Sequence, residues 1–101
     1  MNKVILSGRI CNDIELRQSG SGKLFTNITL AVKRNKDETD FIRVAAFDQS
    51  AEYLNKYCSK GDKLLVEGNL SVKKYSKNEE NLDYYSVGAN RVELLAQKLS
   101  R

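Results

Sequence analysis

The ten residues from Leu24 to Lys33 constrain the fold more than any other stretch. Leu24, Thr26, Ile28, Leu30 and Val32 alternate with Phe25, Asn27, Thr29 and Ala31, an unbroken period of two. Successive side chains point to opposite faces only in extended chain, so this is a strand with one face on a core. A strand needs partners to be stable in water, and four more segments have the same character. In Lys3–Ile10, Val4, Leu6, Gly8 and Ile10 share one parity, and Ile5, Ser7 and Arg9 the other; Gly8 permits a bulge or a sharp bend. Asp40–Phe47 sets Ile42, Val44 and Ala46 against Phe41, Arg43, Ala45 and Phe47. Leu64–Tyr75 is a fourth strand with Leu64, Val66, Leu70 and Val72 assigned to the core, and Tyr84–Leu95 a fifth, with a break expected at Gly88.

The connections are polar. Gln18–Gly22 is a turn around a Ser-Gly-Ser-Gly run, Arg34–Thr39 a hairpin loop, and Ser76–Asp83 a loop expected to be mobile. Between the third and fourth strands the period changes. Ala51, Leu54 and Cys58 fall at i, i+3 and i+7, a narrow helical stripe. Asp48 or Ser50 can cap its start, and Gly61 stands where a left-handed C-terminal residue is wanted. The order β-β-β-α-β-β predicts a mainly β protein, a five-stranded OB-fold barrel with one short helix between strands three and four. The 101 residues suit one domain over 1–101, with no repeat, low-complexity tract, linker or proline.

Seventeen Lys and Arg against thirteen Asp and Glu give a net charge of +4, a mild bias toward a polyanionic partner. No stretch is apolar enough to span a membrane, and the opening MNKVILSGR has too short an apolar run for a signal peptide, so a cytoplasmic protein is expected. Cys11 and Cys58, without any His, cannot complete an ordinary zinc site. They are too few for a disulfide framework, which fits a reducing compartment and two small apolar side chains. A Ser-His or Cys-His nucleophile is impossible without His. No GxxxxGK[ST] phosphate loop exists, and the SGSGK segment lacks that spacing. Glu79, Glu80 and Asp83 share a loop with nothing marking them as an acid-base or metal site. No catalytic residue, metal or cofactor is expected.

The chemistry concentrates on two strands. Phe41, Arg43, Ala45 and Phe47 share one face of strand three, which sets a cation between two aromatics. On strand four, Lys73 and Tyr75 share a face with Asn69 and Ser71. Aromatic rings interleaved with cations suit single-stranded nucleic acid. Any base stacks on a ring, for about 1–3 kcal/mol per base, and Lys or Arg neutralises the phosphates that follow. The competing reading is packing: an alternating aromatic commonly covers a sheet, and the mixed charges of Lys33–Asp40 read as a solvated hairpin tip. Tyr53 and Tyr57 belong to the helix and read as packing. Tyr84 and Tyr85 fall on opposite faces, so at most one joins Tyr75.

These residues resemble a known family. NKVILSGRICNDIELR at 2–17, NITLAV at 27–32, DFIRVAAF at 40–47 and AEYLNKYCSKGDKLLVEGNLSVKKY at 51–75 are similar to bacterial single-stranded-DNA-binding proteins. The resemblance implies an OB fold, usually a homotetramer, that wraps single-stranded DNA without sequence preference in replication, recombination and repair; a dimer is the other arrangement. It implies base-stacking roles for Phe41, Phe47 and Tyr75 and phosphate contacts for Arg43, Lys73 and Lys74, although alternation turns Lys74 away from the others. Lys33 and Arg34, at the start of the hairpin loop, complete the candidate DNA-binding set. Two features depart from the family pattern. The loop Arg34–Thr39 is short and carries no aromatic. The sequence ends at QKLSR where typical members continue to an acidic partner-recruiting tip, so no tail-mediated recruitment is expected. Two alternatives remain: a relative of primosomal replication protein B acting in replication restart, and an OB domain used only for protein contacts.

Overall fold

The computed structural model describes the backbone of residues 1–77 and 80–99 and the side chains of residues 1–74 and 82–99. Its elements are β1 (Val4–Ile10), β2 (Arg17–Gln18), β3 (Leu24–Lys33), β4 (Thr39–Phe47), α1 (Gln49–Tyr57), β5 (Lys63–Lys77) and β6 (Glu80–Ala96). Five strands close in the order β1-β5-β6-β4-β3 and back to β1. All these pairings are antiparallel except β4–β6, which is parallel and limited to Val44–Val87 and Ala45–Gly88. Closure removes the open edges that a flat sheet would expose. The order and the single helix are those expected of an OB fold; the two-residue β2, paired to the start of β3, was not legible in the sequence.

Strand β1 closes the ring by serving two neighbours. Val4–Arg9 pair with β5, and Arg9 and Ile10 pair with Ala31 and Leu30 of β3. The approach is close at Gly8, where an added Cβ would overlap the carbonyl of Ala31. The glycine is needed for this close approach, and the β1–β5 register runs through it without a bulge. The alternating apolar sets converge inside the ring: Ile10, Ile28, Leu30, Val44, Ala46, Leu64, Val66, Val87 and Val92 are buried. Helix α1 plugs one end with Ala51, Leu54 and Cys58, all buried as the stripe predicted. Hydrophobic burial of this kind is the main favourable term for so small a domain.

Asp48 occupies the cap position of α1, but its side chain makes no capping hydrogen bond. Its φ of 49° and ψ of −116° lie outside the extended region that aims a capping side chain at the first turn. Its backbone does the work instead, with N–H donating to Leu24 O at 2.9 Å and C=O accepting from Glu52 N at 2.9 Å. Gly61 has a positive φ of 94° but does not end the helix, which stops at Tyr57 with Cys58 extended. It belongs to a turn closed by Asp62 N donating to Ser59 O at 3.1 Å. The fully buried Asp62 carboxylate accepts from Ser59 N and Lys98 N, both at 2.9 Å, and so ties this turn to the segment after β6.

The second half departs from the sequence expectation in three ways. Most of Ser76–Asp83 is strand rather than loop, with Lys77 paired to Glu80. Leu70 and Val72 are 42% and 46% exposed rather than core. Both follow from one feature: β5 and β6 run on past the closed ring as a two-stranded arm, where the inward parity of the barrel no longer meets a core. Finally, no break occurs at Gly88, which pairs with both Ala45 and Asn69. The ladder shifts register further on, where Gly68 opposes Ala89 and Glu67 opposes Arg91, leaving Asn90 as an extra residue, and again where Leu64 opposes Leu94 and Lys63 opposes Ala96. Gly68 is required at the first of these shifts, since a Cβ would overlap the Gly88 carbonyl.

Candidate nucleic-acid interface

The register of β3 and β4 builds the outer face row by row. Phe25 lies opposite Phe47, Asn27 opposite Ala45, Thr29 opposite Arg43, Ala31 opposite Phe41 and Lys33 opposite Thr39. Directly opposed residues share a face, so Phe41, Arg43 and Phe47 stand together, as alternation predicted. Phe41 is 69% exposed and Phe47 43% exposed. Rings that served only to pack would be covered, and Phe41 in particular has most of its surface in solvent.

The parallel β4–β6 contact brings the β5–β6 arm beside this face. Because only Val44–Val87 and Ala45–Gly88 pair, the β3–β4 hairpin and the arm separate beyond that junction. An open groove of about 620 Å³ occupies this fork, lined among others by Asn27, Thr29, Arg43, Phe47, Lys73 and Tyr84. A smaller groove of about 260 Å³ continues to Phe41, and Arg43, Tyr84 and Tyr85 are among the residues that line both. The Arg43 guanidinium carbon lies 5.9 Å from the centroid of the Tyr84 ring, within cation–π range. A cation on an aromatic face at the base of a groove can meet a phosphate while the ring meets a base.

Tyr84 was not among the candidate residues. It lies directly opposite Lys73, and Tyr85 opposite Val72, so Tyr84 is the one tyrosine of this pair on the outer face. Alternation alone left that choice open, since it needs the β5–β6 register. Two more aromatic-face partners were missed. Phe25 faces Phe47 across the ladder, and the Lys23 ammonium sits 4.8 Å from the Phe47 ring centroid.

The remaining candidates are placed unevenly. Lys73 lines the groove. Lys33 continues the outer face at the exposed end of β3. Lys74 lies opposite Asp83 on the other face of the arm, with Leu70 and Val72, so it is not brought together with Arg43 and Lys73. Arg34 is engaged locally: its Nη2 is 2.7 Å from Asp40 Oδ1 and its Nη1 3.3 Å from Glu38 Oε2. The hydrogen bond and charge of Asp40 raise its already high pKa further. The backbone of Tyr75 lies in β5 opposite Leu82, at the parity of Lys73, while its side chain lies outside the described residues. Tyr53 and Tyr57 pack on each other with ring centroids 5.1 Å apart, and the Tyr53 hydroxyl accepts from Leu94 N at 3.1 Å. Among the described residues, no three His, Cys, Asp or Glu side chains stand together to hold a metal, and no helix is long and apolar enough to cross a membrane.

The model of the single-strand binding protein family matches residues 1–97. The chain is 35% identical to a single-stranded DNA-binding protein of Fusobacterium nucleatum, over 99% of this chain and 70% of that one. It is 42% identical to one of Clostridium perfringens, over 83% and 58%, and 37% identical to one of Staphylococcus aureus, over 99% and 69%. It thus spans 58% to 70% of the length of these relatives. With an OB-type ring of strands and a family match over nearly all its length, the chain belongs to the single-strand binding protein family.

Proposed function

We propose that this chain binds single-stranded DNA without sequence preference and without catalysis, serving to coat and protect it during replication, recombination or repair. The observation that carries this reading is the gathering of exposed Phe41, Arg43, Phe47, Lys73 and Tyr84 on one side of the closed sheet. Phe41, Phe47 and Tyr84 offer π-faces to successive bases, and Tyr75, whose backbone lies in β5 at the parity of Lys73, is a further stacking candidate. Stacking of this kind tolerates any sequence because every base has a face. Arg43, Lys73 and Lys33 supply phosphate contacts, whose counterion release makes affinity fall with salt. Arg34 is a weaker contributor, since Asp40 and Glu38 already occupy it, and Lys74 acts only if the strand wraps over the edge of the arm.

The chain works as a homotetramer, with a dimer as the alternative. In support, Leu70, Val72 and Tyr85 leave an apolar stripe on the arm, and association would cover surface that so small a domain cannot bury alone. The cytoplasm suits its two free thiols. The test is titration with oligo(dT), a mixed-sequence single strand and a duplex at several salt concentrations. Comparable affinity for both single strands, weak duplex binding and loss of affinity with salt support the proposal. Preference for the duplex, or affinity independent of salt, overturns it. Solution mass by light scattering tests the assembly.

A further inference from the structure

The turn between β2 and β3 carries a cation to which the proposed function above assigns no role. Lys23 immediately precedes β3, and its ammonium reaches the Phe47 ring at the end of the outer row. The turn is closed by Ser19 N donating to Lys23 O at 2.8 Å, Gly22 N donating to Ser19 O at 2.9 Å, and Lys23 N donating to Ser19 Oγ at 3.1 Å. Gly22 makes this possible with a φ of 89°. The backbone of Lys23 is therefore fixed, while its four-carbon stem remains free to swing. The neighbouring cation Arg17 is paired with Glu15 at 3.1 Å. Lys23 makes no ion pair with a described residue; its ammonium lies instead over the Phe47 ring, 4.8 Å from the centroid.

We propose that Lys23 is a DNA-contacting residue that covers the Phe47 ring in the free protein and moves to a backbone phosphate when a base stacks there. The inference rests on the proposed single-strand binding and assigns the β2–β3 turn to the path of the strand. Two consequences follow. The ammonium shields part of a ring that remains 43% exposed until the ligand arrives, as cation–π contacts do at small cost. Then the same charge reappears beside the phosphate of the stacked nucleotide. The strand path accordingly continues past Phe47 toward the turn rather than ending in the fork.

The test is the salt dependence of oligo(dT) binding, using oligonucleotides of about 16 nucleotides, the upper end of what one OB fold covers. Lys23→Gln is expected to flatten the slope of log affinity against log salt by about 0.7, the contribution of one single-strand phosphate contact. Lys23→Arg is expected to restore it. Lys56→Gln is the charge-matched control, because Lys56 lies over the Tyr57 ring on α1 at 5.3 Å and away from the face; its slope should match the parent. In NMR spectra, the Lys23 side-chain methylene signals should lose their ring-current shift when oligo(dT) is added. An unchanged slope in Lys23→Gln overturns the phosphate role, and tighter binding by that variant shows that Lys23 only obstructs the ring. Failure of the parent chain to bind oligo(dT) would instead remove the underlying reading.

Discussion

Phe41→Ala and Phe47→Ala separate stacking from packing, because the two rings differ in exposure. Truncating a fully buried phenylalanine costs about 3–5 kcal/mol of stability. Phe47 is 43% exposed, so a little over half of that packing is at stake, or about 2 kcal/mol. Phe41 is 69% exposed, which leaves less than a third, or about 1 kcal/mol. If each ring stacks a base, each variant also loses about 1–3 kcal/mol of binding, a weakening of about 5- to 150-fold. For Phe41 the binding loss should therefore equal or exceed the stability loss. Urea unfolding followed by far-UV circular dichroism gives the stability change. Quenching of the five tyrosines by oligo(dT), which neither substitution removes, gives the affinity change under conditions where both variants are folded. A Phe41→Ala variant that binds like the parent would refute the stacking argument at the position where packing explains least.

Further outcomes follow from the fold. Val44→Ala and Val66→Ala, at 1% and 0% exposure, should lower stability by about 0.5–3 kcal/mol while oligo(dT) affinity, measured on the folded protein, stays unchanged. Gly68→Ala should destabilise by about 1–3 kcal/mol, because its Cβ meets the Gly88 backbone rather than a side chain that can turn away; thermal unfolding reads this directly. The Glu67 carboxylate lies 2.7 Å from the Lys3 ammonium, whose hydrogen bond and charge hold its pKa below the ordinary value. The unfolded state therefore binds the proton more readily. The small contribution of this pair is present above the unfolded pKa and fades as pH falls through the folded one. Lys3→Gln should remove that part of the acid dependence in urea unfolding at a series of pH values.

The sequence was most legible where one face of a strand meets the core. In β3 and β4 the period of two correctly placed Leu30, Val44 and Ala46 inside and Phe41, Arg43 and Phe47 outside. The same rule failed for Leu70 and Val72, since parity names a face but not whether anything covers it. The polar residues of Ser76–Asp83 show no alternation and so looked like a loop, although Ser76 and Lys77 pair with Asn81 and Glu80 in a regular ladder. Tyr84 and Lys23 were hidden for another reason. Each reaches the site through a register or a turn that brings distant residues together, and no local pattern encodes such a meeting. The buried Asp62 clamp likewise ties the turn at Ser59 to Lys98, which lies 36 residues beyond Asp62 in the chain.

Amide chemical-shift mapping during an oligo(dT) titration tests the location of the binding face most directly. The largest shifts are expected at Phe25, Asn27, Thr29, Phe41, Arg43, Phe47, Lys73 and Tyr84, while α1 from Gln49 to Tyr57 stays largely unperturbed. Shifts concentrated on α1, or spread evenly over the molecule with none at Arg43 and Tyr84, would contradict the assignment of that face to single-stranded DNA.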